Sequence, residues 1–213
     1  MVKAVLFDMD GLMVESEMLH YQAYKEVLVR LGVALTMEDY FAAWGSDKDM
    51  CMRFVEKFHT PISAAELLEQ KNTLFRQVYI YKVTPQQGLL DLLRTLKESH
   101  YLLAVCSSSQ MHEIEIVLKA IGARQFFDQV ISAESVENGK PAPDCYLLTA
   151  QKLAVEPADC LVLEDAPKGV AAAKAAEMKC FAIPSTGLET ADFSKADNIF
   201  KNLGEVTIEM INK

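Results

Sequence analysis

Short apolar runs that end abruptly on an acid or a hydroxyl recur along this chain of 213 residues, and stretches with helical spacing separate them. The first run, Ala4 to Phe7, is followed by Asp8 and then by Asp10 and Gly11. A second, Leu102 to Cys106, ends on Ser107, Ser108 and Ser109; a third covers Gln129 to Ser132; a fourth, Cys160 to Leu163, runs into Glu164 and Asp165. Because the first run does not alternate apolar with polar, it fits a strand buried on both faces of a parallel sheet, and the others repeat its design. Between them, apolar residues recur at helical spacing: Leu89, Leu92, Leu93 and Leu96; Ile114, Val117, Leu118 and Ile121; Tyr146, Leu147, Ala150 and Leu153. Strands alternating with helices predict an α/β fold, a doubly wound, Rossmann-like parallel sheet. Ser109 is expected to cap a helix, Gly122 to end one, and Pro143 with Asp144 to start another.

Ligands of open α/β sheets bind beyond the carboxyl ends of the strands, which is where the acids stand. Asp8 and Asp10 share one pleat face, since side chains alternate with period two. Gly11 then lets the backbone turn away without a side chain in the crevice.

One stretch breaks the alternation. Ser16 to about Lys82 shows helical patterns only: Met18, Leu19, Val27, Leu28 and Leu31 ending at Gly32, then capping boxes from Thr36 to Asp39 and from Ser63 to Glu66. The expected organisation is a core formed by residues 1–15 and 83–213, with residues 16–82 inserted as a helical cap domain. Its two connections flank the strand that carries Asp8 and the strand that ends at Ser107, so it reads as a lid on short hinges.

Composition narrows the possible partners. A formal charge of -9 argues against nucleic acid, which needs clustered Lys and Arg. No charge-free apolar stretch reaches the roughly 18 residues that span a bilayer, and Asp8 and Asp10 interrupt any signal-peptide pattern. The five cysteines form no CxxC pair and mostly sit in apolar patterns, as reduced core thiols do. The expected compartment is the cytoplasm; the sequence does not set the oligomeric state, and a monomer is compatible with it.

Four motifs in order resemble the haloacid dehalogenase (HAD) superfamily of phosphohydrolases and phosphotransferases: FDMDG at Phe7 to Gly11, CSS at Cys106 to Ser108, NGKPAPD at Asn138 to Asp144, and LEDAPKG at Leu163 to Gly169. The stretch from Asp10 to Tyr24 is similar to the subgroup that holds β-phosphoglucomutase and many small-metabolite phosphatases, whose members carry a four-helix cap at this place. Gln87 departs from the subgroup, which usually has proline before the glycine matching Gly88; the change touches a helix start and nothing the reaction needs.

Charge then dictates the cofactor. Two like charges about 4 Å apart repel by roughly 4 kcal/mol at an effective dielectric near 20. Lys140 supplies too little positive charge to bring Asp8, Asp10, Glu164, Asp165 and a phosphate together, so an oxygen-seeking divalent cation is required, Mg²⁺ by preference. The sequence has no compact His and Cys set suited to zinc.

The resemblance implies that Asp8 is the nucleophile and Asp10 the general acid and base. It also implies that Asp8, the Asp10 carbonyl and Asp165 bind the metal, with Glu164 direct or behind a water. Ser107 would bind the phosphoryl group beside backbone amides at a helix start, and Lys140 would counter its charge. His20, Trp44, Gly45, Lys48, Lys71 and Ser108 are candidate substrate contacts, with Arg53 and Arg76 as further cap cations. The expected activity is a Mg²⁺-dependent phosphatase for a small phosphorylated metabolite, a sugar phosphate or nucleotide-related monoester, working through an aspartyl phosphate. A hexose-phosphate mutase of β-phosphoglucomutase type is the alternative. A receiver-type phosphoacceptor module is opposed by the length, the inserted helices and a DxDG on the first strand.

Overall fold

In a computed structural model that describes residues 1–43, 47–188 and 190–213, the chain divides into two compact units, Met1–Glu15 with Val83–Lys213, and Ser16–Lys82. Strand β1 (Ala4–Phe7) precedes helices α1 (Glu17–Arg30), α2 (Met37–Ala42), α3 (Asp47–Phe58) and α4 (Ala64–Leu74), all in the smaller unit. The larger unit continues with α5 (Leu89–Glu98), β2 (Leu102–Cys106), α6 (Met111–Ala120), β3 (Gln129–Ile131) and α7 (Asp144–Leu153). It closes with β4 (Cys160–Glu164), α8 (Pro167–Ala175), β5 (Lys179–Ala182), β6 (Asn198–Ile199) and α9 (Ile208–Ile211).

Among the described residues, six strands form one parallel sheet in the order β3-β2-β1-β4-β5-β6. The chain winds outward from β1 to β3, then returns to β1's other side for β4. The crevice of such a sheet opens at this reversal, beyond the carboxyl ends of β1 and β4. All of Ala4–Phe7 is buried, as a strand flanked on both edges and covered on both faces must be. Strands β5 and β6 have no counterpart in the sequence reading. The first is four residues long and opens on a lysine, and the second is a two-residue exposed edge with no apolar run to betray it.

The helices of this unit bury the predicted faces: Leu89, Leu92, Leu93 and Leu96 on α5, and Ile114, Val117 and Leu118 on α6. On α7 the buried stripe is Cys145, Tyr146, Thr149 and Ala150, whereas Leu147 is 40% exposed because it lies round the helix from that stripe. Gly122 ends α6 with φ +67°, and Pro143 caps α7.

The smaller unit is helical throughout its described residues and has its own core, which includes Tyr24, Val27, Leu28, Tyr40, Phe54 and Leu67. Both capping boxes form. Thr36 Oγ1 accepts from the Asp39 amide while Asp39 accepts from the Thr36 amide, each at 3.1 Å, and Ser63 and Glu66 repeat the pattern. Every cysteine is free and buried, and no helix of the described residues is long and apolar enough to cross a membrane.

Candidate active site

The amide of Asp8 donates to the Leu163 carbonyl at 3.0 Å, so the sheet's bonding runs one residue past β1. Phe7 lies opposite Leu163 in the β1–β4 register, which sets Asp8 beside Glu164 and Asp165. Carboxylate oxygens of these three acids lie within 4.8 Å of one another. Gly11 comes so close that a Cβ there would sit 2.2 Å from Asp165 Oδ2, and its φ of +88° is one that glycine alone adopts without strain. The turn it makes is tied down by Gln86, whose amide donates to the Met13 carbonyl at 2.8 Å and whose side chain donates to the Gly11 carbonyl at 3.2 Å.

Lys140 reaches this cluster with a side chain only 3% exposed. Its ammonium donates to Asp8 Oδ1 at 2.5 Å, to Glu164 Oε1 at 2.7 Å and to the Cys106 carbonyl at 3.0 Å, which uses all three of its protons. Burial by itself would lower the Lys140 pKa, but Asp8 and Glu164 outweigh it and hold the ammonium well above its ordinary value. Burial pushes the Asp8 carboxyl up to about 7 against the pull of Lys140. Burial, then the charges of Asp8 and Glu164, hold Asp165 well above the usual carboxylate range, with the Ser185 hydroxyl opposing.

Such a set is starved of positive charge. Its donors are all carboxylate oxygens, with no thiolate or imidazole among them, so it fits a hard divalent cation rather than zinc.

Asp10 is held from the β2 side. Ser109 Oγ donates to Asp10 Oδ2 at 2.8 Å, and the Ser109 amide donates to Ser107 Oγ at 3.0 Å. Ser107 is buried with its oxygen accepting, which leaves its own proton available to donate; Ser108 is exposed. Ser109 is therefore not the helix cap that the sequence suggests. Gln110 takes that place, its amide donating to Glu113 at 3.3 Å, and the Met111 amide donates to Glu134 at 2.9 Å. These two amides at the start of α6 have carboxylate partners.

Sequence reasoning missed Ser109, Ser185 and Tyr146 as members of the site. The triple serine was a visible signal for the first, nothing local marked the second, and Tyr146 was counted as an apolar helix position.

The remaining candidates belong to the smaller unit or lie outside the described residues, as Trp44 and Gly45 do. Lys71 is not solvated. It is fully buried, its ammonium lies 2.7 Å from Asp47 Oδ2, and Tyr24 donates to the other Asp47 oxygen at 2.9 Å. His20 stacks on Phe75 with centroids 4.0 Å apart; burial, then the Lys71 charge, pull its pKa down to about 3, so it is neutral. Lys48 and Arg53 are exposed, and Arg53 donates to the Ala43 carbonyl at 3.0 Å.

The comparisons with known proteins follow the same lines. The family model for haloacid dehalogenase-like hydrolases matches residues 5–183. The chain is 36% identical over 197 residues to the chloroplastic protein SUPPRESSOR OF QUENCHING 1 of Arabidopsis thaliana, covering 87% of itself but only 18% of that much longer relative. It is 33% identical over 177 residues to fructose-1-phosphate phosphatase YqaB of Escherichia coli, covering 82% of itself and 92% of that protein. Among solved structures, CbbY from Rhodobacter sphaeroides in complex with phosphate superimposes with a TM-score of 0.83 at 27% identity, over 100% of both chains. A family match running from the first strand through the fifth leaves one assignment: the chain belongs to the haloacid dehalogenase-like hydrolases.

Proposed function

We propose that this hydrolase is a Mg²⁺-dependent phosphatase that cleaves the monoester of a small phosphorylated sugar through an aspartyl phosphate on Asp8. The observation that carries the reading is the contact of Lys140 with Asp8 inside a buried group of strand-tip acids. Burying one lysine among several carboxylates costs several kcal/mol unless a further cation and an anionic substrate complete the site. Fructose-1-phosphate phosphatase among the relatives, and phosphate in the CbbY crystal, support the substrate class.

Asp8, Asp165 and the Asp10 carbonyl would hold Mg²⁺, which when bound neutralises phosphoryl oxygens and favours the ionised carboxylates. A carboxylate oxygen of Asp8 attacks phosphorus; the new O–P bond forms as the ester P–O bond breaks, and Asp10 gives its proton to the leaving oxygen. Lys140 loses one of its two charged partners when Asp8 is esterified, so the proton it gave Asp8 turns to a phosphoryl oxygen while Glu164 keeps its hold. Asp10 then takes a proton from water, water oxygen bonds to phosphorus, and the Asp8–phosphorus bond breaks to release phosphate. Ser109 keeps one oxygen of Asp10 fixed through both transfers. The phosphoryl charge spreads over equatorial oxygens, so positioning these groups is most of the catalysis.

In this reading the helical unit Ser16–Lys82 serves as the cap that selects substrate. Hydrolysis is favoured over transfer to a second hydroxyl because, of the two lysines that by resemblance fall near distal-phosphate ligands of the mutases, Lys71 is buried and paired with Asp47, and Lys48 stands where the mutases carry an arginine, which weakens bidentate phosphate recognition. Phosphate release across a panel of phosphorylated sugars tests the proposal. Multiple turnover in Mg²⁺ that stops on chelation is expected, and failure to turn over any ester would overturn it. With glucose 1-phosphate and a catalytic bisphosphate, phosphorus NMR should show inorganic phosphate; glucose 6-phosphate accumulating instead would mark a mutase.

A further inference from the structure

We propose that Tyr146 is a positioning residue: through Glu164, its hydroxyl holds the Lys140 ammonium against Asp8, and Glu164 serves that lysine rather than the metal. The assignment to catalysis rests on the phosphatase reading above; the clamp itself rests on geometry alone.

Glu164 is 1% exposed, and each of its oxygens has two donors. Oε1 accepts from Lys140 Nζ at 2.7 Å and from Tyr146 Oη at 2.9 Å. Oε2 accepts from the amides of Asp165 at 2.9 Å and Ala166 at 3.1 Å. A carboxylate has about four lone-pair sites, so this one has none left for an ion. It cannot swing to free one either, because α8 packs directly on it. A Cβ at Gly169 would lie 1.6 Å from Oε1, inside the radius of any real contact. Asp165 by contrast carries the Ser185 hydroxyl, and Asp8 meets Lys140 through Oδ1.

Tyr146 is fully buried, and a hydroxyl in that position must donate to something. It donates to the one oxygen that also holds Lys140. The Lys140 ammonium also lies 4.9 Å from the centroid of the Tyr146 ring, within cation–π range. The tyrosine therefore fixes the lysine twice, by its ring directly and by its hydroxyl through Glu164. Replacing it by phenylalanine keeps the ring and the packing and removes the hydroxyl alone.

With Tyr146→Phe, kcat on the best phosphate ester should fall about tenfold, the order of a hydrogen bond to a charged group, while KM and the Mg²⁺ concentration for half activation stay put. The side-chain ¹⁵Nζ resonance of Lys140, recorded without metal or substrate, should shift and its protons should exchange faster. A residue that only filled space would lower the melting temperature and leave kcat and the lysine resonance unchanged, which would overturn the proposal. A moved Mg²⁺ midpoint would overturn it too, by making Glu164 a metal ligand. The wild-type protein itself must show a cross-peak between the Tyr146 hydroxyl proton and the Lys140 ammonium protons; its absence sinks the clamp even if the variant does not fold. If the lysine signals behave as stated but the wild type hydrolyses no ester, the phosphatase reading fails and the clamp stands.

Discussion

Asp8 and Asp10 lie two residues apart, yet their surroundings give them different work. Asp8 is buried against Lys140, and Asp10 is partly open and held by the hydroxyl of Ser109. Asp8→Asn should therefore abolish turnover while the protein still folds and its circular dichroism is unchanged; residual wild-type activity would remove Asp8 as nucleophile. Asp10→Asn should slow both formation and breakdown of the phosphoenzyme by about 10²- to 10⁴-fold, the range of general acid–base catalysis, as rapid-quench measurements would show. Ser109→Ala should reproduce part of that loss, about tenfold in kcat with KM held, because it removes one hydrogen bond that orients the base without removing the base. The first two effects were legible in the sequence through the family resemblance that assigns these strand-end acids their roles. The third was not, since Ser109 stands 99 residues from Asp10 in the chain and reads locally as a helix cap.

The close approach of α8 to β4 shapes the site at the level of elements. Pro167 starts that helix one turn after Glu164, and Gly169 lets it rest on the glutamate. Gly169→Ala should cost on the order of 1–3 kcal/mol of unfolding free energy, because Glu164 is buried with both oxygens occupied and cannot step aside. Turnover should fall with it, since Lys140 loses its anchor; unchanged thermal unfolding would show that the helix can shift to make room. In the sequence Gly169 is legible as the end of the LEDAPKG motif. What it packs against, a carboxylate rather than an apolar chain, depends on helix and strand meeting at that one point.

For the molecule as a whole, the strand-tip acids couple stability to pH and to metal. The folded Asp8 titrates near 7 against 3.8 when free, so the folded state binds its proton more tightly than the unfolded chain does. Its contribution is thus fully present below about pH 4 and lost as pH rises towards 7, on the order of 4 kcal/mol for the metal-free protein, with Asp165 adding to the same trend. Thermal unfolding in EDTA should show this decline, and Asp165→Asn should flatten it. A divalent cation binds the ionised carboxylates and reverses the loss, so added Mg²⁺ should raise the melting temperature more at pH 8 than at pH 5. An equal shift at both would mean that these acids do not hold the ion.

Local physics settled what could be read from the residues in order. The apolar runs predict buried parallel strands because a strand covered on both faces cannot carry polar residues. The capping boxes at Thr36 and Ser63 need partners only three residues away, and acids beyond a strand end face the crevice wherever the helices lie. The strand order, the strands β5 and β6, and the partners of each acid came only with the tertiary structure. Ser109 on Asp10, Ser185 on Asp165, Tyr146 on Glu164 and Asp47 on Lys71 all join residues far apart in the chain. A hydroxyl or a lysine carries no mark of what it will meet, because burial and charge pairing are set by surfaces that exist only once the sheet and helices have packed.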